Sequence, residues 1–311
     1  MGYVYGPVYS KRLGFSLGID IVPRKTCSFE CVYCQLGRTS YKRIRRFKWV
    51  KINKFKKELK KVLKNNLRID YITISGSGEP TLHKNLDVII KEIKKISLYK
   101  IPVCVITNSS LLYRYCVRKE LSNADVVMPS LDAPSPEIFN KINCPHKSIS
   151  FKYIVRGLIE FRREFKGKIF LEIMLLKGYN DKKEYAYLFR DIIEKIDPDK
   201  VYLIFPYRPT PLSNINLIPS YRRIIYFKKI LGSRCEIVGQ GRKNISVKKR
   251  KINKEDIYMS LLRRPQTKEE LKIALGCSDR ILQDIIRELL REKKIYCVYE
   301  GKKIYYTKIS Y

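Results

Sequence analysis

Short apolar segments rich in Ile and Val alternate with amphipathic segments of helical period from residue 14 to about residue 205. This alternation is typical of parallel strands that are covered on both faces and joined by crossover helices. The predicted strands are residues 15–22, 69–75, 101–107, 124–131, 168–176 and 200–205. The predicted helices between them are residues 55–67, 86–98, 111–121, 149–165 and 182–196. Six strands are too few for a closed eight-stranded barrel, so the pattern predicts an α/β fold with a partial (β/α)6 TIM-like barrel.

A basic segment and a second, smaller unit follow the predicted barrel. Residues 241–253 contain six basic residues and no acid, and they are predicted to link a barrel domain at 1–240 to a small domain at 254–311. In the small domain, Thr267 and Glu270 form the pattern of a capping box. The sequence there predicts three helices and a terminal β-hairpin. This order of elements predicts a winged helix-turn-helix domain.

The chain is strongly basic, with 65 Lys and Arg against 30 Asp and Glu over 311 residues and a net charge of +35. Such an excess favours an anionic partner such as nucleic acid, although a proteome of basic proteins produces the same excess without one. About +25 of the charge lies in residues 1–240, +6 in residues 241–253 and only +4 in residues 254–311. The charge therefore favours a partner of the barrel over a DNA-binding role for the small domain.

Composition and cysteine usage set the broad class of the protein. Hydrophobic residues make up 45% of the chain, which is enough for a large core and excludes wholesale disorder. No stretch approaches ~18 consecutive apolar residues, and the N-terminal segment lacks the apolar block of a signal peptide. We therefore expect a cytoplasmic protein without a membrane span. Nine cysteines, an odd number, favour reduced thiols over a disulfide framework.

Three of the cysteines lie close together on the loop after the first predicted strand. Cys27, Cys31 and Cys34 form a CxxxCxxC triplet. Three thiolates so close in sequence can converge on one inorganic cluster, and a [4Fe–4S] cluster with three protein ligands leaves one iron open for a small molecule. Zinc is the alternative, although a structural zinc takes four ligands and no His lies in this loop. Three structural thiols without a metal are the remaining interpretation.

The triplet, with the aromatic Tyr33 directly before its last cysteine, resembles that of the radical S-adenosylmethionine (SAM) enzymes. The resemblance implies that Cys27, Cys31 and Cys34 bind a [4Fe–4S] cluster, that its open iron binds SAM, and that Tyr33 lies against the adenine. It implies an enzyme that cleaves SAM with one electron to methionine and a 5′-deoxyadenosyl radical, which removes hydrogen from a substrate. It also implies an electron donor such as ferredoxin or flavodoxin.

Short motifs at the ends of the next three predicted strands are similar to motifs of the same family, so the resemblance extends over residues 1–240. Residues 75–80, SGSGEP, resemble the family's Gly-Gly-Glu motif, with Ser77 in the place of the first glycine. Residues 107–109, TNS, are similar to its Thr-Asn-Gly, and residues 130–132, SLD, to its Ser-Leu-Asp. The SAM contacts that the resemblance implies are Tyr33, Gly78, Glu79, Thr107, Asn108, Ser130 and Asp132.

Two of these residues carry specific expectations. Gly78 is expected to let the backbone approach SAM, and Glu79 to accept a hydrogen bond from the SAM ammonium group. Within the superfamily, residues 6–14, 18–20, 34–39 and 206–209 look most like a group that includes the tRNA wybutosine-synthesis enzyme. That enzyme has further cysteines before its triplet, whereas this sequence has none before Cys27. The departure predicts a sister enzyme of unassigned substrate.

The densest run of positive charge, residues 38–51, directly follows the cysteine triplet. It contains no acid and interleaves aromatic with basic side chains. Basic groups contact phosphates and aromatic faces stack on unpaired bases, so RNA, most of all tRNA, is the first substrate hypothesis. The alternative is a solvated loop that its aromatic residues anchor in the core. The predicted RNA contacts are Arg38, Arg43, Arg45, Arg46 and Trp49.

Two further hypotheses stay open. In the second hypothesis, the small domain docks a protein or peptide substrate. Its predicted recognition helix carries Asp279, Asp284 and Glu288, which repel phosphate and so argue against the reading of DNA. A non-catalytic iron–sulfur transcriptional regulator is the third hypothesis. The strand-end motifs argue against it, because a sensor needs no SAM pocket. The sequence predicts no catalytic residue beyond the groups that hold the cofactors.

Overall fold

Ile- and Val-rich segments form the central strands, as the alternating pattern predicts. The structure, a computed structural model, describes residues 2–65, 67–210, 216–238, 252–301 and 303–308. The strands of these residues are β1 (Val4–Ser10), β2 (Gly14–Ile19), β3 (Thr26–Cys27), β4 (Tyr41–Lys42), β5 (Tyr71–Ile74), β6 (Val103–Thr107), β7 (Val126–Pro129), β8 (Lys168–Met174), β9 (Lys200–Ile204), β10 (Cys235–Ile237), β11 (Tyr296–Glu300) and β12 (Lys303–Thr307).

Amphipathic segments form the helices, several of which begin at a capping side chain. The helices of the described residues are α1 (Ile52–Leu63), α2 (Leu86–Ile96), α3 (Tyr115–Leu121), α4 (Pro136–Asn143), α5 (Phe151–Glu164), α6 (Lys183–Ile196), α7 (Tyr221–Leu231), α8 (Lys254–Leu261), α9 (Lys268–Leu275) and α10 (Asp279–Arg291). Thr267 and Glu270 form the predicted capping box at the start of α9. Within the described part of the chain, none of the helices has the length and apolarity that a bilayer crossing requires.

The six predicted strands of the barrel all form, and they lie side by side in chain order. One sheet has the order β1-β2-β5-β6-β7-β8-β9-β10, in which all neighbours from β2 to β10 are parallel. Helices connect the parallel strands, so the carboxyl ends of the strands meet at one edge of the sheet. The fold is therefore the predicted α/β partial barrel, and the loops at this edge are where its site is expected.

The sequence pattern missed the two edge strands and two helices. The outer strand β1 pairs antiparallel with β2 and contains Gly6 and Pro7, with a shift of register between Tyr5 and Val8. Pro lacks a backbone donor and Gly weakens a strand pattern, so the segment does not look like a strand. The strand β10 has only three residues. The helices α4 and α7 lie outside the regular alternation on which the prediction rested.

The strands face two apolar layers. On one face, Leu17, Ile72 and Val105 pack against the helices in the largest apolar cluster. On the other face, Cys104 and Met128 belong to a smaller cluster. Because side chains alternate across a strand, the smaller cluster fills the concave side of the curved sheet. The helix-covered core thus fixes the sheet, while its carboxyl edge stays free for loops that carry chemistry.

The C-terminal unit, defined as the described residues 252–301 and 303–308, has an apolar cluster of its own. The helices α8, α9 and α10 contribute Leu261, Leu271 and Leu282 to it. The three helices and the hairpin β11–β12 are those that the sequence predicts, while the winged-helix assignment stays a prediction. The predicted linker, 241–253, lies outside the described residues except at its last two positions.

The C-terminal unit is joined to both ends of the curved sheet. The helices α8 and α9 pack against the edge strand β1. At the same end, Arg263 forms an ion pair with Asp20, directly after β2, with an N–O distance of 3.2 Å. At the other end, Arg208 after β9 pairs with Glu270 on α9 at 2.6 Å. The unit therefore connects the two sides of the open barrel.

Candidate active site

The three clustered cysteines lie on the loop between β2 and α1. Cys27 ends the short strand β3, and a tight turn follows in which the Cys34 N–H donates to the Cys31 carbonyl (3.0 Å). Between the first two cysteines, Phe29 is buried and packs edge-to-face on Phe139 of α4, with 5.4 Å between ring centroids. All three cysteines carry free thiols that are not part of a disulfide. The loop therefore presents three free thiols within eight residues and is anchored by an aromatic side chain.

Burial makes these thiols poor acids by themselves. It raises the pKa of Cys27 to about 12, and the nearby charge of Glu79 adds to the rise. It also raises the pKa of Cys31 well above its usual value, with a further contribution from Asp132, and it raises the pKa of Cys34. A bound metal cation reverses this preference because it stabilises the thiolate. The donor set thus fits a cationic, thiolate-bound centre.

The described residues contain no group of three or more His, Cys, Asp or Glu side chains placed around a single ion. A structural zinc requires four ligands at one point. In a [4Fe–4S] cluster with three cysteines, each thiolate binds a different iron, so the sulfurs need not converge on one point. By ligand number, three thiolates suit a [4Fe–4S] cluster with one open iron better than a four-ligand structural zinc site.

Two asparagine side chains donate hydrogen bonds to the cysteine sulfurs. Asn108 Nδ2 lies 3.4 Å from Cys27 Sγ. Asn143 Nδ2, at the end of α4, lies 3.5 Å from Cys31 Sγ. Hydrogen bonds to sulfur stabilise negative charge there and influence the reduction potential of a bound cluster. The sequence predicts Asn108 as a SAM contact, but it gave no sign of Asn143, which stands in no motif and ends a helix that the pattern missed.

Glu79 is a buried link between the ends of β5 and β6. One of its carboxylate oxygens accepts from Thr107 Oγ1 and from Thr81 Oγ1, both at 2.6 Å. The other accepts from the backbone N–H of Asn108 at 2.7 Å. Burial raises the pKa of Glu79, and these donors oppose the rise. Both oxygens are thus bound to protein donors, and an additional contact to the SAM ammonium group stays a prediction.

Gly78 packs against the cysteine loop. A Cβ atom at this position would lie only 2.0 Å from the carbonyl oxygen of Thr26 and 2.9 Å from Val22 Cγ2. Directly after it, the Glu79 N–H donates to the same Thr26 carbonyl (3.0 Å). Because Thr26 precedes Cys27, this contact fixes the loop after β5 against the cysteine loop. The structure therefore gives Gly78 a packing reason, in addition to the approach to SAM that the sequence predicts.

Tyr33 and Asp132 join the cysteine loop to the ends of β7 and β8. The Tyr33 hydroxyl donates to the Asp132 carboxylate. The same carboxylate accepts from Asn143 Nδ2 and from the Met174 N–H, both at 3.0 Å. Ser130 lines a small cavity beside Asp132. The seven predicted SAM contacts thus lie around the carboxyl ends of β5, β6 and β7, next to the thiols, and their contact with SAM stays a prediction.

The basic run 38–51 has an anchored part. Arg46 is buried, pairs with the Glu120 carboxylate at 2.5 Å and donates to the His83 carbonyl at 2.7 Å. Trp49 is half-buried, and its ring lies 6.1 Å from that of His83 between centroids. Arg46 holds the loop to the barrel, because its guanidinium group is already bonded to protein acceptors. Arg46 is therefore not available as an RNA contact, whereas an RNA contact of Trp49 stays a prediction.

The rest of the run has an exposed part beside the cysteine loop. The Arg43 guanidinium lies 5.2 Å from the ring centroids of Tyr41 and Phe47, and that of Arg45 lies 5.3 Å from Phe47. The backbone N–H of Arg43 donates to the Cys27 carbonyl at 2.9 Å, which places Arg43 beside the cysteine loop. Arg43 is half-buried, while Arg38, Tyr41 and Arg45 are exposed, and these four residues are named the basic aromatic patch.

A partial barrel with free thiols and linked polar loops at its carboxyl edge is the architecture of enzymes that hold a metal centre and an organic cofactor there. The family model for the radical SAM superfamily matches residues 21–189, which include the cysteine loop and the loops after β5, β6 and β7. The chain belongs to the radical SAM superfamily. It is an enzyme, and its cofactors are a [4Fe–4S] cluster and SAM. Family membership excludes the non-catalytic regulator.

Three relatives show how far the similarity extends. The chain is 42% identical over 295 residues to a GTPase Obg of Brachyspira hyodysenteriae, but it spans only 43% of that protein. It is 35% identical to a UPF0026 protein of Methanocaldococcus jannaschii, covering 100% of this chain and 97% of that one. It is 33% identical over 174 residues to the dual-specificity RNA methyltransferase RlmN of Wigglesworthia glossinidia brevipalpis, covering 52% of this chain and 45% of that one.

Two further facts bear on these similarities. The chain has no G-x-x-x-x-G-K-[ST] phosphate-binding loop. A solved structure of TYW1 with a lysine–pyruvate adduct superposes with a TM-score of 0.53 and 20% identity, over 73% of this chain and 75% of that one. The superposition shows that the two proteins share a fold.

We expect Gly78→Ala to lower the free energy of unfolding by about 1–3 kcal/mol, as overpacking does. The added methyl group overlaps the Thr26 carbonyl and pushes the loop after β5 away from the cysteine loop. Labelling of the apo-protein with a thiol reagent, mapped by mass spectrometry, should therefore show faster modification of Cys27. Gly167→Ala is the control, since its added methyl group also overlaps a backbone carbonyl, that of Asp125 at 2.7 Å, but lies before β8 at the other end of the strands. Equal labelling of Cys27 in both variants would contradict the packing role.

Proposed function

We propose that the protein cleaves SAM at a [4Fe–4S] cluster held by Cys27, Cys31 and Cys34 and uses the radical to modify RNA, most of all tRNA. The observation that carries the first part is the position of three free thiols beside the linked ends of β5, β6 and β7. When bound, the cluster and SAM supply a one-electron cleavage that gives methionine and a 5′-deoxyadenosyl radical. The protein contributes binding, orientation and exclusion of water.

The side chains at the carboxyl edge have distinct tasks in this proposal. Asn108 and Asn143 donate to the cysteine sulfurs and stabilise them as thiolates. Glu79 holds the loops after β5 and β6 in one position, so that their backbone groups are already oriented for SAM. Asp132 fixes the hydroxyl of Tyr33, which leaves the Tyr33 ring as an oriented apolar face for the adenine.

An RNA substrate is supported by the surface next to the thiols. In the basic aromatic patch, Tyr41 is 56% exposed and Arg43 lies against its ring. A stacked aromatic and guanidinium pair offers a flat face for an unpaired base, and the neighbouring guanidinium groups can bind phosphates. The similarity to RlmN, an RNA methyltransferase by name, favours the same class of substrate. The backbone N–H of Arg43 donates to the Cys27 carbonyl, so the patch adjoins the cysteine loop.

A protein or peptide substrate is the second candidate, and the hairpin of the C-terminal unit favours it. Tyr296, Tyr299 and Ile304 are 44%, 72% and 42% exposed on β11 and β12. Exposed tyrosines of this kind are common in protein interfaces. On α10, Asp279 pairs with Lys272, so this helix presents mixed charge rather than a basic face for nucleic acid. If RNA is not the substrate, this hairpin is the expected docking surface.

The reduced, anaerobically reconstituted protein should convert SAM to 5′-deoxyadenosine, and Cys31→Ala should reduce the yield to background. Removing one of the three thiolates leaves the cluster with only two protein ligands, so the iron content should fall in the same variant. Liquid chromatography of the product and iron analysis measure the two effects. Cys116→Ala, which removes an exposed thiol on α3, should behave like the wild type. Intact SAM across several reductants and candidate substrates, or an active Cys31→Ala, would count against the proposal.

The triple substitution of Arg38, Arg43 and Arg45 by Gln should weaken tRNA binding and reduce its salt dependence. For three lost contacts to single-stranded phosphates, the slope of log K against log salt should fall in magnitude by about 2. Filter binding or fluorescence anisotropy at several salt concentrations measures this slope. The control variant replaces Arg222, Lys228 and Lys229 of α7, which also removes three positive charges. The helix α7 packs beside β10, the last strand at the other side of the sheet.

Equal slopes in the two triple variants would rule out the patch as the RNA contact. The nucleosides of tRNA from a deletion strain and its parent then separate the two substrate classes. A missing modified nucleoside in the deletion strain is expected for the RNA hypothesis. Identical nucleoside profiles, together with equal slopes, would move the proposal to a protein or peptide substrate.

A further inference from the structure

Arg263 follows α8 in the C-terminal unit and is buried against the edge of the barrel, with 5% of its surface exposed. Its Nε lies 3.2 Å from Asp20 Oδ2, and its Nη2 lies 3.1 Å from the Gly2 carbonyl. Its Nη1 lies 2.8 Å from the Met259 carbonyl. The guanidinium also covers the ring of Tyr5, 4.3 Å from the ring centroid. A cation this deeply engaged is fixed in position, unlike a solvated surface arginine.

The Asp20 carboxylate connects Arg263 to the loop after β5. It accepts from Ser77 Oγ at 2.6 Å and from the Ser77 N–H at 3.2 Å. Beside it, Gly76 has a φ of +142° and no room for a side chain, since a Cβ would lie 2.5 Å from Asp20 Cγ. The loop therefore closes around the carboxylate, and the position of Ser77 depends on the position of Asp20.

Tyr5 provides a second connection to the same loop. Its hydroxyl lies 3.2 Å from Ser75 Oγ, while its ring is covered by Arg263. On the other side, Gly18 leaves room for the ring, because a Cβ there would lie 2.1 Å from a ring carbon. Arg263 thus supports the loop at both Ser75 and Ser77, through two different side chains.

The support of the loop requires a positively charged side chain at position 263, because the Asp20 carboxylate is buried. Burial raises the pKa of Asp20, and the positive charge of Arg263 and the hydrogen bonds from Ser77 oppose the rise. Without the guanidinium, the buried carboxylate either takes up a proton or turns toward water. Either change alters the acceptor that holds Ser77, so the loop loses its fixed position.

We infer that Arg263 is a positioning residue for the SAM-binding loop and that the C-terminal unit thereby completes the SAM site. The inference rests on the proposed function, in which Gly78 and Glu79 of this loop contact SAM. Arg263 acts through Asp20 and Tyr5 and does not itself touch the cofactor. The C-terminal unit is therefore part of the catalytic apparatus, whatever substrate it docks.

Arg263→Gln and Glu270→Gln form a matched pair for the test. Both are expected to loosen the C-terminal unit, but Glu270 pairs with Arg208 after β9, and none of its hydrogen bonds within the described residues is with the loop after β5. Gln at 270 also keeps the capping interaction of α9. In Arg263→Gln, the KM for SAM in 5′-deoxyadenosine formation should rise about 10-fold or more, as for other residues that orient a site indirectly. Glu270→Gln should leave this KM unchanged, and iron content should stay equal in both variants.

Hydrogen exchange on the full chain provides a readout that does not depend on turnover. The Ser77 N–H donates to Asp20 and should exchange faster in Arg263→Gln than in Glu270→Gln. Equal changes in KM and exchange in the two variants would overturn the inference, because they would reflect general loosening. A folded Arg263→Gln with wild-type KM and exchange would overturn it as well.

Two further outcomes are covered by the same experiment. If Arg263→Gln does not fold, Asp20→Asn replaces it in the experiment. The amide keeps an acceptor for Ser77 but loses the ion pair with Arg263. A wild-type KM for SAM and wild-type exchange of the Ser77 amide in this variant would overturn the inference. If the wild-type protein forms no 5′-deoxyadenosine, the proposed function fails. The exchange of the Ser77 amide still decides whether Arg263 positions the loop.

Discussion

Three buried carboxylates hold the carboxyl ends of neighbouring strands together, and the geometry of the site depends on them. Asp20 after β2 accepts from Ser77 in the loop after β5. Glu79 in that loop accepts from Thr107 at the end of β6. Asp132 after β7 accepts from the backbone at the end of β8 and from the tyrosine of the cysteine loop. Each carboxylate links two loops, and between β6 and β7 the Ser109 hydroxyl donates to the Ser130 carbonyl at 2.7 Å, so each loop of this edge is bonded to the next.

These carboxylates are costly in isolation, since burial raises the pKa of each of them. Their donors, and Arg263 in the case of Asp20, offset that cost. Two of them also oppose ionisation of the thiols, because Glu79 lies near Cys27 and Asp132 near Cys31. A cationic group bound beside these carboxylates would favour the thiolate forms.

Periodicity and short motifs in the sequence predict the barrel well, because each βα unit is a local pattern that its own residues determine. The six parallel strands and the positions of Glu79 and Asp132 at strand ends follow from it. Contacts between distant segments carry no such signal: Arg263 lies 243 positions from Asp20. The sulfur contact of Asn143 and the anchoring role of Arg46 likewise depend on how loops pack. Composition alone cannot separate a buried arginine from one that is free to bind RNA.

The net charge of +35 is mostly on the barrel, and part of it is internal, since Arg46 and Arg263 serve the fold. What remains exposed next to the thiols is the basic aromatic patch, which places a candidate substrate surface beside the cofactors. The proposed chemistry depends on one claim, that three cysteines hold a [4Fe–4S] cluster with an iron open to SAM. Electron paramagnetic resonance of the reduced, reconstituted protein tests it directly. One [4Fe–4S] signal per chain that changes shape when SAM is added is the predicted result, and a signal that SAM leaves unchanged would contradict the claim.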